Sequence, residues 1–148
     1  MLIGLMLAAA GQVASTSAQR ERETELLFIG HQYRDAIARF QQQTHRYPAT
    51  LAELLASEIG GPQPAHFLRR LYPDPMTRAA NWILIPGPGE TIMGVASAST
   101  AEPLKKAGFD DDTGFEDAKT YSDWVFLATS PRRRLQPPQG VHGIATAR

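Results

Sequence analysis

The chain has 148 residues and a mass of 16.2 kDa, with 15 basic against 15 acidic side chains, 43% hydrophobic residues and no cysteine. Its length suits one domain, and its balanced charge lacks the basic footprint of a protein that binds nucleic-acid phosphates. Without cysteine there is no disulfide, zinc–thiolate or iron–sulfur site and no cysteine nucleophile.

Met1 to Gln19 carries no charged side chain, and Met1 to Gly11 is apolar apart from its neutral glycines. At ~1.5 Å per residue the apolar run reaches about 16 Å, roughly half of a ~30 Å hydrocarbon layer. Gln12, Ser15, Thr16 and Ser17 make the next stretch more polar. Three readings fit: a cleaved signal peptide with Thr16-Ser17-Ala18 as its small-residue site, a buried core helix, or the C-terminal part of a longer membrane helix.

Arg20 to Glu25 then alternates in charge, as at a bilayer margin or on a solvated helix face. Beyond it Leu26, Ile29, Tyr33, Ala36 or Ile37, and Phe40 recur at steps of three and four, the signature of an amphipathic helix. Asp35 and Arg39 stand in the favourable i,i+4 order. The first proline is Pro48, so the sequence predicts one helix from Met1 to about Gln43, close to 65 Å long. That exceeds what a head of this size covers, and the apolar end needs lipid or other subunits to bury it.

His45 to Pro48 ends the helix, because the residue before proline avoids the α region. Thr50-Leu51-Ala52-Glu53 has the pattern of a capping box opening a short helix to about Ser57. Gly60 to Pro64 reads as a loop, and His66 to Leu71 as a short helical or irregular piece. Tyr72-Pro73-Asp74-Pro75-Met76-Thr77 is a stiff turn that excludes helix. Trp82 to Ile85 and Thr91 to Ala96 form a hairpin across Pro86 to Glu90, and Asp123 to Ala128 supplies a third strand. Three strands with one apolar face are about the minimum for a stable sheet, and the amphipathic part of the first helix is its cover. Trp82 and Trp124 fall on neighbouring strands of the core. Ser130 to Arg148, rich in Pro and Arg, reads as a disordered tail.

An apolar N-terminal helix, Arg46-Tyr47-Pro48-Ala49-Thr50-Leu51-Ala52-Glu53-Leu54-Leu55, and Tyr72-Pro73-Asp74-Pro75-Met76-Thr77 with Trp82 leading into a small sheet together resemble the type IV pilin-like family. The likeness is closest to the pseudopilins of type II secretion systems, major-pseudopilin-like, and runs from about Met1 to Ala128. It implies an α+β pilin-like fold with a long N-terminal helix packed on an antiparallel sheet of about three strands. It divides the chain into an apolar membrane and filament-core segment (1–19), a globular domain (20–129) and a tail (130–148).

The role it implies is structural and non-enzymatic. The subunit anchors in the bacterial inner membrane as a single-pass protein with its head in the periplasm, then assembles into a filament. Leu2, Ile3, Leu5, Met6, Leu7 and Val13 would lie in the membrane or bundle, while Leu26, Ile29, Tyr33, Ile37 and Phe40 would pack under the sheet. Tyr47, Pro48, Pro73, Asp74 and Pro75 would make the structural turns. The implied partners are other pilin-like subunits, inner-membrane secretion machinery and membrane lipid, with no nucleic acid. Two rivals are a minor pilin of a true pilus or DNA-uptake machine, and an exported periplasmic binding domain with a cleaved signal peptide. Members of the family begin with a basic leader ending in Gly, then an aromatic residue and a Glu five positions into the mature chain. No Lys or Arg precedes Arg20 here, and no Glu precedes Glu21. The expectation is that about a dozen residues lie upstream of Met1, in keeping with the half-length apolar run.

For cofactors the expectation is none, with calcium as the one candidate. Asp110, Asp112 and Asp123 offer hard oxygen ligands, and family members hold calcium in the loop before the last strand. The spacing is half an EF-hand, and a solvated acidic loop is the competing reading. His31, His45, His66 and His142 are scattered without metal or catalytic spacing, and no P-loop, dinucleotide or Gly-x-Ser-x-Gly motif occurs.

Overall fold

A computed structural model of the chain describes residues 2–55, 65–109 and 114–128, with the backbone alone for 2–10 and Gln12. The expected helix to Ser57, the Gly60 to Pro64 loop, the acidic run from Asp110 and the Pro/Arg-rich tail therefore lie partly or wholly outside the described residues. Helix α1 runs without a break over Leu2–Thr44, 43 residues, about 64 Å at 1.5 Å per residue. After it come strands β1 (Ile83–Pro86), β2 (Ile92–Ala96) and β3 (Val125–Leu127). The strands form an antiparallel sheet in the order β1-β2-β3. The chain is thus α+β, one long helix on a three-stranded meander.

Helix and sheet meet because both present one apolar face. Leu26, Ile29, Tyr33, Ala36, Ile37 and Phe40 are all buried, the stripe that steps of three and four place on one side of a helix. In the sheet, Leu84, Val95 and Phe126 share one row. Val95 and Phe126 of that row face α1, since both are buried and a Cβ added to Gly30 would collide with the Phe126 ring, whereas Leu84 on the edge strand is 46% exposed. Glycine at residue 30 lets the helix backbone settle onto that ring. By the two-residue alternation of strands, the rows Ile83–Ala96–Val125 and Ile85–Gly94–Leu127 face away from the helix. Gly94 is required for a second close approach, as a Cβ there would sit 2.5 Å from the Phe126 carbonyl oxygen.

The helix ends at His45, which adopts φ 58° and donates its N–H to Gln41 O at 2.8 Å, a left-handed C-terminal cap. Pro48, just beyond, prevents continuation, and its carbonyl accepts the Ile92 N–H at 2.8 Å. Tyr47 donates to Ala128 O at 3.3 Å. These bonds hold the lower end of the helix to β2 and to the end of β3.

Several local expectations are corrected. Leu51–Leu54 is a single 3-10 turn, and the Thr50 side chain makes no cap bond. Glu53 instead pairs with Arg46 at 2.9 Å. The reciprocal capping box lies at Thr120 and Asp123, opening the 3-10 turn Tyr121–Asp123. Asp35 pairs with neighbouring Arg34 at 3.1 Å, while Arg39, itself exposed, donates to Phe67 O at 2.8 Å. A part-buried carbonyl on the segment packed beside the helix is a better partner than an exposed carboxylate. Trp82 and Trp124 are both buried, but they precede β1 and β3, the two outer strands, so they flank the sheet on opposite sides of β2.

Gly30→Ala is expected to drive a methyl into a ring packed at 5.2 Å against Phe115, costing about 1–3 kcal/mol. Thermal unfolding of Gly30→Ala, and of Gly30→Ala with Phe126→Leu to make room, measures it. A double variant no more stable than the single one would contradict the contact.

Candidate assembly interface

Over Gly11 to Ser17 the described side chains of α1 stand clear of the head. Gly11, Val13, Ala14, Ser15, Thr16 and Ser17 are exposed, and the first half-covered side chain is Ala18. Val13 is 70% exposed. Leu2, Ile3, Leu5, Met6 and Leu7 continue the same helix, with side chains outside the described residues. Among the described residues no helix is long and apolar enough to cross a membrane. The expected single-pass span is not found here, because Gln12 and the Ser15-Thr16-Ser17 run interrupt the apolar sequence.

Where the head first grips the helix, a polar junction replaces the apolar one. Glu23 is buried on α1, and its Oε1 accepts three hydrogen bonds: from Leu104 N at 2.5 Å, Lys105 N at 3.1 Å and the Tyr121 hydroxyl at 2.8 Å. One turn above, Gln19 donates to the Tyr121 oxygen at 2.8 Å and to Glu102 O at 3.1 Å. A buried carboxylate is tolerated only when donors surround it, and here they come from the 102–105 loop and from Tyr121. Tyr121 lies edge-on to Trp124 at 5.2 Å. Burial, together with the Glu23 carboxylate, pushes its phenol up to about 12, against the lowering bond from Gln19. Beside this junction Arg20, Leu27, Leu104, Lys105 and Lys106 line an open groove of about 450 Å³.

A second polar hub fixes the opposite flank. Asp74 is buried in the Tyr72 to Thr77 turn. Its Oδ1 accepts from Met76 N at 2.9 Å, and its Oδ2 from Ser97 Oγ at 2.7 Å and Ala98 N at 2.9 Å. Pro75 and Pro48 are buried, Tyr47 is half-buried and Pro73 is exposed. Tyr33 bridges from the helix: its hydroxyl donates to Tyr72 O at 3.0 Å and accepts from Tyr72 N at 2.9 Å. Trp82 donates to the same carbonyl at 2.7 Å. Burial raises the Tyr33 phenol above its ordinary value.

Of the candidate calcium ligands, Asp110 and Asp112 lie outside the described residues. Asp123 is a structural cap: its Oδ2 accepts from Thr120 N at 2.9 Å, Lys119 N at 3.0 Å and Thr120 Oγ1 at 3.1 Å. The Thr120 and Lys119 amides hold its carboxyl below the ordinary carboxylate value. Among the described residues no three His, Asp or Glu side chains converge as a metal site would require. His31 packs edge-on to Phe126 at 5.5 Å.

Glu23 and Tyr121 are 98 positions apart, and no sequence motif links them. The one available signal was Glu23 itself, which falls three positions before Leu26 and so shares the apolar face. Comparison with family models, with curated proteins and with solved structures gives no match.

The polar hubs generate two measurements. Because the folded phenol of Tyr121 titrates above its ordinary 10.0, the stability carried by its neutral form is complete below about pH 10. It is lost as pH rises through about 12. Tyr121→Phe is expected to cost about 1–2 kcal/mol at neutral pH and to lose less stability than the parent between pH 10 and 12 by denaturant unfolding. Parallel pH profiles for the two proteins would contradict the junction. Asp74→Ala strands three donors and is expected to cost about 3 kcal/mol, with Asp74→Asn losing less. A melting temperature unchanged in Asp74→Ala would contradict the hub.

Proposed function

We propose that this chain is a structural, non-enzymatic pseudopilin-like subunit of a type II secretion or related type IV pilus-like filament. The single observation that supports the reading is the mismatch between helix and head. In a 43-residue helix the described side chains from Gly11 to Ser17 are exposed and the head first half-covers the helix at Ala18, while the residues before Gly11 are the most apolar part of the sequence. Apolar helix left in water carries a cost of about 25 cal/mol per Å², which burial against lipid or neighbouring helices removes. The arrangement of one long N-terminal helix on a small three-stranded sheet is loosely compatible with the pilin-like fold, and the Tyr-Pro and Asp-Pro turns carry the sequence resemblance.

In this reading the apolar run enters one leaflet of the inner membrane before assembly, the head lies in the periplasm, and the run then packs among the helices of other subunits. Buried helix surface drives the process, and no bond is made or broken. Gly4, Ala8, Ala9, Ala10 and Gly11 are small enough to let helix backbones approach closely.

Leu5→Glu with Leu7→Glu is expected to abolish sedimenting assemblies and recovery with membranes, since charges in apolar surroundings cost several kcal/mol. The melting temperature of the head should stay as in the parent, because the substituted positions come more than ten residues before Ala18, where the head first half-covers the helix. Assemblies of undiminished yield from the double variant would refute the proposal.

A further inference from the structure

The filament reading leaves open where one head touches the next, and two complementary surfaces at the helix–head junction bear on it. The first is the groove beside α1. Its apolar floor is Leu27 and Leu104, and its rim carries Arg20, Lys105 and Lys106. Leu104 is 39% exposed. Glu23 also borders the groove, but the two backbone amides and the Tyr121 hydroxyl already occupy its Oε1. Lys105 Nζ rests over the Phe109 ring at 5.1 Å. Lys106 reaches Glu102 at 3.0 Å in an exposed pair, the kind worth little in water and easily exchanged.

The second surface is a stripe on the same helix made by Glu21, Glu25 and Phe28, at i, i+4 and i+7, all three exposed. Phe28 is 60% exposed, while the other aromatic rings of the helix, Tyr33 and Phe40, are fully buried. Neither Glu21 nor Glu25 forms an ion pair among the described residues. At about 100° per residue the stripe is turned roughly 115° around the helix from the groove. The two surfaces therefore share one axial level yet cannot meet within a molecule.

We infer that the stripe of one copy docks in the groove of a second copy. Phe28 lies against Leu27 and Leu104, and Glu21 and Glu25 face Lys105, Lys106 and Arg20. The inference rests on the filament reading and adds its lateral contact. Charge complementarity selects the occupant: the groove offers cations around an apolar floor, and this chain carries an acidic stripe ending in an unburied aromatic ring. Because the surfaces differ and are offset, the contact is heterologous and repeats from copy to copy without being satisfied in a two-fold dimer.

The absence of cysteine makes a disulfide test clean. Full-length Phe28→Cys and Leu104→Cys chains, mixed under oxidising conditions, are expected to give a mixed cross-linked dimer several-fold in excess of either like-with-like dimer. Lys105→Glu with Lys106→Glu in the Leu104→Cys chain should cut that yield several-fold, and Glu21→Lys with Glu25→Lys in the Phe28→Cys chain should restore it. A mixed dimer no more abundant than the like-with-like dimers overturns the inference. If Val13→Cys chains cross-link to one another in that case, the filament reading survives; a monomer that cross-links at neither place sinks both. Loss of binding to phosphatidylglycerol vesicles by Lys105→Glu/Lys106→Glu, with the mixed dimer undiminished, assigns the cations to lipid and also overturns the inference.

Discussion

The close packing of one helix against one sheet governs this molecule, because the helix is longer than the sheet that covers it. From Leu26 to Phe40 the apolar stripe of α1 is sealed by Val95, Phe126 and the aromatic residues around them. The seal depends on Gly30, whose missing side chain lets the helix backbone lie directly on the Phe126 ring. Burying each large side chain there is worth about 1.5–3 kcal/mol, which is what a loop-rich head with three short strands has to rely on. From Gly11 to Ser17 the described side chains of the same helix have no such cover. One element is therefore a core component below Ala18 and an exposed surface over Gly11 to Ser17.

Two buried carboxylates translate that packing into a defined shape. Glu23 holds the 104–105 segment and Tyr121 against the helix, and Asp74 ties the proline-rich turn to the strand exit at Ser97 and Ala98. Neither carboxylate has a basic partner among the described residues. Both are satisfied by backbone amides and hydroxyls, so removing either strands donors rather than breaking an ion pair. Glu23 also decides where the helix leaves the head, because every described side chain above Ala18 is exposed. The exposed Gly11 to Ser17 stretch and the groove beside the junction both adjoin that one attachment point.

Between the hubs, aromatic rings fill the space that short strands cannot. Phe115 stacks on Trp124 at 5.5 Å, and Phe109, Tyr121 and Phe126 pack edge-on around the pair. Such contacts add about 0.5–1.5 kcal/mol beyond area burial. The 3-10 turn at Tyr121–Asp123 sets the entry angle of β3, so its Thr120–Asp123 cap positions both the ring cluster and the hydroxyl that reaches Glu23. Packing and junction are in this way one connected system.

The sequence by itself determined the long helix, its apolar face, the three strands and the turn at Pro73 to Pro75. Each is written in local periodicity or in proline chemistry, which act over a few residues. The excess of apolar helix over available head was legible in the same way, from length and composition. What only the folded structure decided are the partners that particular side chains take. Thr50 and Glu53 carry a capping pattern, yet Glu53 turns to Arg46; Asp123 offers a metal-ligand oxygen, yet Thr120 and Lys119 engage it; and Asp35 at a helical spacing loses Arg39 to the carbonyl of Phe67. For Arg39 the local rule supplies little free energy, and a carbonyl 28 positions away, brought near by folding, outweighs it. Glu23 and Tyr121 became partners for the same physical reason: a carboxylate on the buried face of a helix must find donors, and the chain's path alone determines which ones arrive.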